Sequence, residues 1–138
     1  MKRALHRAAL LAVVCACATP AAPPEAARER PPRIVITSKL DERKMPVDDL
    51  ERVSMSQGRF VVWVLWIEEP HGPHFHECEF TDGAGRVEKA PGKMTEHRGS
   101  KRISAGYRFD PMSSPGTWTI RLYLDHRLRA ERSLEVEP

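Results

Sequence analysis

Between Glu68 and Glu79 the chain reads Glu-Glu-Pro-His-Gly-Pro-His-Phe-His-Glu-Cys-Glu, its densest run of metal-ligating and acid–base residues. On an extended strand, residues i and i+2 lie on one face about 7 Å apart. His74, His76 and Cys78 therefore project together, while Glu77 and Glu79 take the other side. Two imidazoles and a thiolate suit copper or zinc, and His71 is close enough in sequence to swing in from its loop. A competing reading starts from burial. A half-buried strand turns one face inward, and two glutamates are poor residues for that face. His74, His76, Cys78 and Phe80 then form the core side, with the histidines hydrogen-bonded near the strand end. This second reading is preferred, so no cofactor is expected, and copper or zinc on His71, His74, His76 and Cys78 is the alternative. The two differ in whether the imidazoles converge on a point that solvent can reach.

Other chemistry is sparse. The chain has no G-x-S-x-G, no H-E-x-x-H and no P-loop, so no catalytic residue is assigned and no enzyme is expected. Asp48-Asp49 and Glu68-Glu69 read as charges at loop ends, and Gly83-Ala84-Gly85 as a hairpin turn, since no helix start follows it. Trp63, Trp66 and Trp118 could stack on a sugar ring, but Trp118 lies on the apolar parity of its segment and is expected in the core. Tyr123, on the opposite parity, is the better contact residue.

The elements that must hold these residues are strands divided by turn residues at short spacing, the pattern of an antiparallel sandwich. Arg33–Thr37 reads as a first strand. Val47–Val53 has room for one helical turn before Gly58. Phe60–Ile67 is apolar at both parities, as in a central strand covered on both sides. Pro73–Thr81 follows, then the glycine-rich turn into Arg86-Val87-Glu88. Lys89–Ser100 is polar and turn-rich, hence loop or frayed edge. Along Arg102–Phe109, residues Ile103, Ala105, Tyr107 and Phe109 share a face. Thr117–Leu124 alternates cleanly, Asp125-His126 closes a tight hairpin, and Leu128, Ala130, Leu134 and Val136 give the last strand its inward parity. Arg132 interrupts that parity and must lie at a rim or reach solvent along its stem.

The run Pro115-Gly116-Thr117-Trp118 through Asp125-His126-Arg127-Leu128, ending in Leu134-Glu135-Val136, resembles the last hairpin of bacterial Ig-like domains. Gly72-Pro73-His74 through Phe80, with Asp82-Gly83-Ala84-Gly85-Arg86-Val87, is similar to their middle strand and turn. The resemblance covers residues 58–137 better than 33–57. It departs at His126, where the family has glycine, so a turn that wants a left-handed residue must accept a side chain there. The resemblance implies one Ig-like β-sandwich in an all-β domain. Such families are envelope or surface proteins of mostly uncharacterised role, and a fold does not transfer a function.

The N-terminus supplies an address. Lys2, Arg3 and Arg7 precede the apolar run Ala8–Ala16, too short to span a bilayer, and Val14-Cys15-Ala16-Cys17 is the pattern of a lipoprotein signal. Residues 1–16 are read as that signal, Cys17 as the acylated residue, 17–32 as a Pro/Ala-rich disordered tether and 33–138 as the domain. Ordinary cleavage at Ala16-Cys17-Ala18 is the other exit. Ala18 following Cys17, rather than aspartate, resembles lipoproteins sorted to the outer membrane. With Cys15 removed and Cys17 acylated, Cys78 has no disulfide partner. Residues 1–32 carry five basic against two acidic side chains, and 33–138 carry 17 against 17. A neutral domain argues against nucleic acid as a partner. The expected role is non-catalytic binding or structural support, with the membrane as one partner through the lipid and an envelope protein or glycan as the other.

Overall fold

The computed structural model describes residues 30–67 and 69–138. The signal, Cys17 and the tether before Arg30 lie outside the described residues. Among the described residues nine strands follow in order: β1 Arg33–Thr37, β2 Arg52–Ser54, β3 Arg59–Trp66, β4 Gly72–Thr81, β5 Val87–Lys89, β6 Lys93–His97, β7 Lys101–Arg108, β8 Gly116–Leu124 and β9 Arg127–Glu137. They form a three-stranded sheet, β1-β3-β7, and a six-stranded one ordered β2-β9-β8-β4-β5, with β6 also on β4. The chain changes sheet at every step from β1 to β4 and again on either side of β7. In an immunoglobulin sandwich, strands A, B and E share one sheet and C, F and G the other. Here β1, β3 and β7 stand in the first set and β4, β8 and β9 in the second. The protein is an all-β, Ig-like sandwich.

Alternation explains the core. The inward residues of β3 (Phe60, Val62, Val64, Trp66) meet Cys78 and Phe80 of β4 and Trp118, Ile120, Leu122 and Leu124 of β8. The Phe60, Tyr107, Phe109 and Trp118 rings pack with centroids 5.0–6.2 Å apart. The second parity of β3 is covered where Trp63 lies beside Val35, its Nε1–H donating to Lys44 O at 3.1 Å. Gly83 is required where it stands, since a Cβ there would sit 1.9 Å from Pro115 O.

Three expectations change. Val47–Val53 forms no helical turn; Arg52–Ser54 is a short strand parallel to the end of β9, and a 3₁₀ turn follows at Met55–Gln57. The polar stretch after Lys89 contains a true strand, β6, paired with Gly72–His76. The parity of β9 also breaks. Leu122 pairs with Ala130 but Tyr123 pairs with Leu128, so Arg129 is an extra residue in a β-bulge. The bulge turns Leu128 out, leaving it 52% exposed, and aims Arg129 inward, as bulges do. Arg132 sits at the rim, its guanidinium donating to Ile34 O and Leu50 O and lying 2.7 Å from Asp49.

Candidate functional site at the histidine end of the sandwich

One end of the molecule collects the end of β3, the start of β4, the end of β6 and the hairpin between β8 and β9. Strand alternation places His74 and His76 on the buried face of β4. β6 pairs His97 with Gly72, beside them, and His97 is fully buried. The hairpin adds Asp125, and the bulge adds Arg129.

His74 Nδ1 lies 2.6 Å from Asp125 Oδ2, and its Nε2 lies 2.7 Å from Pro70 O. A carboxylate and a carbonyl both accept, so the ring must donate from both nitrogens and is an imidazolium. Burial works against that charge, but the Asp125 bond outweighs it with help from Pro70, and the pKa of His74 lies above its ordinary value. The Phe75 N–H, with the His74 bond, holds Asp125 below the usual carboxylate range.

His76 and His97 face each other Nε2 to Nε2 at 2.9 Å with nearly parallel rings. One nitrogen must donate and the other accept, so the accepting ring is neutral, and the donor is neutral too where the pH lies above its lowered pKa. Desolvation, then the neighbouring His97 and His74, pushes His76 down to about 4. Desolvation and His74 likewise lower His97. A parity rule follows from a single shared bond. The ring donating through Nε2 leaves its Nδ1 bare, while its partner carries an Nδ1–H. Both Nδ1 atoms, and Nε1 of Trp66, whose ring packs edge-on against His76, are buried without a hydrogen-bond partner.

Glu69, read from sequence as a loop-end charge, is instead buried against Arg129 in a two-bonded fork, 2.6 and 2.9 Å. The Arg129 guanidinium lies 5.7 Å from the Trp66 ring. Asp48 is likewise more than a loop end: it accepts from Thr37 Oγ1, Ser38 N–H and Ser38 Oγ and clasps the end of β1.

The four donors named from sequence are not drawn to one point. His71 is exposed before β4, His74 is committed to Asp125 and Pro70, and Cys78 lies one step deeper than His76. Burial, with the Glu79 charge beside it, raises the Cys78 thiol to about 12, so it is no thiolate. Among the described residues no group of three or more His, Cys, Asp or Glu stands close enough to hold a metal ion. Sequence reading missed His97, Glu69, Asp125 and Arg129. His97 has a faint signal, since it shares a parity with Thr95 in an otherwise polar stretch. Arg129 has none, because the bulge that turns it inward is invisible in an apolar pattern.

No family model matches this chain, and no curated protein matches it. Among solved structures it is similar to an alkylpurine DNA glycosylase of Pseudomonas fluorescens bound to abasic-site DNA, at 10% identity and a TM-score of 0.49 over 76% of this chain. An immunoglobulin-like protein of Pseudomonas aeruginosa is similar at 17% identity and 0.47 over 80% of this chain and 99% of its own. A β-glucosidase of Listeria innocua is similar at 9% identity and 0.44 over 78% of this chain. The chain spans only 30% of the glycosylase and 16% of the glucosidase.

Proposed function

We propose that this chain is a non-catalytic module of the cell envelope, anchored through acylated Cys17 in the outer membrane and acting by binding or structural support. One observation carries the non-catalytic part. The charged side chains of the polar cluster are spent on each other, His74 with Asp125 and Glu69 with Arg129, instead of being aimed at a nucleophile. A histidine whose Nε2 is held by Pro70 O is not placed to take a proton from a hydroxyl or thiol. The sequence supports the address, with a short apolar run ending at Val14-Cys15-Ala16-Cys17 and a Pro/Ala tether before the domain. The neutral charge of residues 33–138 favours a protein or glycan over a nucleic acid.

Anchoring is tested by lipid labelling in cells. Cys17→Ser should abolish incorporation of a labelled fatty acid and move the protein to the soluble periplasmic fraction. An unmodified N-terminus at Thr19 by mass spectrometry would replace acylation with ordinary secretion. The binding role is tested by crosslinking intact envelopes and recovering the chain. A reproducible protein or glycan adduct is expected, and turnover of a substrate by the recovered protein would overturn the reading.

A further inference from the structure

The charges of residues 33–138 cancel in sum but not in place. β1, β3 and β7 together carry five basic side chains and no acidic one, whereas the strands of the other sheet carry seven of each. Pairing register puts four of the five on the outward side of the three-stranded sheet. Arg33, Leu65 and Arg102 stand in one row across it, and Arg59 faces Arg108 in another. Strand rise and spacing set the two rows about 20 Å apart and Arg33 about 10 Å from Arg102. All four arginines are exposed. None has an acidic partner among the described residues, and Arg102 meets only Met45 Sδ. The loop after β1 is balanced, with Lys39, Arg43 and Lys44 against Asp41, Glu42 and Asp48, and Asp49 turns to Arg132. On the larger sheet the acids are matched, Glu79 and Glu131 by Arg121, Glu77 by His126 and Glu137 by Arg52. Like charges directly opposite on a sheet are destabilising, so folding gives no reason for Arg59 to face Arg108.

We propose that this outward face docks on an anionic lipid surface; the proposal rests on the reading of the chain as a tethered envelope module. Three observations support it. The guanidiniums are spread over a sheet face, which suits an array of headgroup charges better than a single phosphate. No aromatic ring is offered there, since Phe60, Trp63, Trp66 and Tyr107, the rings of these three strands, are all buried. The face therefore lacks the stacking platform of a single-strand nucleic-acid site and the aromatic anchor of a protein interface. Finally, β1 begins at Arg33, so the chain enters the domain at a corner of this face, directly after the residues read as the tether. Anchoring makes the docking step intramolecular, and a weak, charge-driven contact is then enough.

The test uses the full chain bearing Cys17→Ser, so that binding does not depend on acylation. Every variant keeps residues 1–32, and any contribution from them is common to all. Vesicles are phosphatidylcholine alone or with about one-third phosphatidylglycerol, which supplies the negative surface. Cosedimentation should show binding that strengthens sharply with phosphatidylglycerol and weakens as salt rises from about 0.05 to about 0.5 M. A basic side chain at such a surface is worth about fivefold in affinity. Arg59→Ser/Arg108→Ser and Arg33→Ser/Arg102→Ser should then each lose roughly 25-fold, while Arg52→Ser/Arg127→Ser on the other sheet stays within about twofold of the parent. The urea midpoint of Arg59→Ser/Arg108→Ser should equal or exceed the parent's, because a like-charge pair is gone; a lower midpoint would give the pair a structural role and overturn its assignment. Binding indifferent to phosphatidylglycerol, or an equal loss in Arg52→Ser/Arg127→Ser, overturns the face. Loss confined to one of the two face pairs, or displacement by millimolar glycerol phosphate, would mark a site for a single phosphate and overturn the lipid surface. Tighter binding to duplex DNA than to the vesicles at about 0.15 M salt would do the same. These failures leave lipid labelling and envelope crosslinking unaffected, so they are distinguishable from failure of the module reading.

Discussion

Arg129 and Glu69 are each less than one-tenth exposed at the side chain, and they meet in a fork of two short bonds. Two charges taken out of water at this cost are stable only together. Removing one leaves the other uncompensated, which costs about 3–5 kcal/mol, while replacing both with apolar residues of similar volume is often neutral or favourable. Arg129→Met should therefore cost about 3–5 kcal/mol in urea denaturation, and Glu69→Leu/Arg129→Met should recover most of it. A single variant within about 1 kcal/mol of the parent would show that Glu69 reaches water. Trp118 makes the complementary case. It is fully buried, its ring meets Phe60, Tyr107 and Phe109, and its Nε1–H donates to Ser114 O. Trp118→Ala should cost about 3–5 kcal/mol, and a loss below about 1 kcal/mol in the same measurement would place the ring outside the core.

The β8–β9 hairpin shows how a strained element is held by the site it serves. Asp125 and His126 both adopt positive φ, 51° and 65°, as a two-residue type I′ turn demands. Asp125 is fixed there by three contacts: its N–H donates to Phe75 O, Oδ1 accepts from Phe75 N–H, and Oδ2 meets His74. His126 has less to hold it, with a largely exposed side chain whose Nδ1 lies 2.9 Å from Glu77 Oε2. Glycine adopts the left-handed region without a Cβ penalty. His126→Gly should then raise stability by about 0.5–1 kcal/mol, read as a higher urea midpoint with unchanged slope; a lower midpoint would mean the Glu77 contact outweighs the strain. β4, β7 and β8 were legible because alternation marks one buried face, and β1 and β3 because each is a short run apolar at both parities. β2 and β6 were not, since Arg52–Ser54 and Lys93–His97 owe their pairing to neighbours and carry few apolar residues of their own. The same blindness hid the site. The shared face of His74 and His76 follows from alternation, but His97 and Asp125 arrive through a polar strand and a hairpin tip, and Arg129 reaches Glu69 through a bulge.

At the scale of the whole fold, the three buried histidines among the described residues make stability depend on pH in opposing ways. His76 and His97 are held below the ordinary 6.5, His76 at about 4, so the unfolded chain binds protons that the fold refuses as pH falls. Stability is therefore lost between about pH 6.5 and 4. His74 runs the other way. Its raised value means that its contribution is fully present below 6.5 and is lost as pH rises through the folded value. Asp125, Asp48 and Asp110 are lowered and contribute above their unfolded value of 3.8, so they leave the window between pH 7 and 5 untouched. Two depressed imidazoles outweigh one raised one, and Lys101 adds to the depression of both. The full chain with Cys17→Ser should lose about 1–3 kcal/mol from pH 7 to pH 5, allowing about 1.4 kcal/mol per pKa unit. His76→Phe keeps a ring in place and removes that titration, so its loss over the same interval should be smaller by about half. Urea midpoints at the two pH values, taken for parent and variant, decide it. Equal parent stability at pH 7 and 5, with the same result for His76→Phe, would mean that the facing imidazoles take up protons in the fold as readily as in the unfolded chain, and the neutral His76–His97 pair would have to be abandoned.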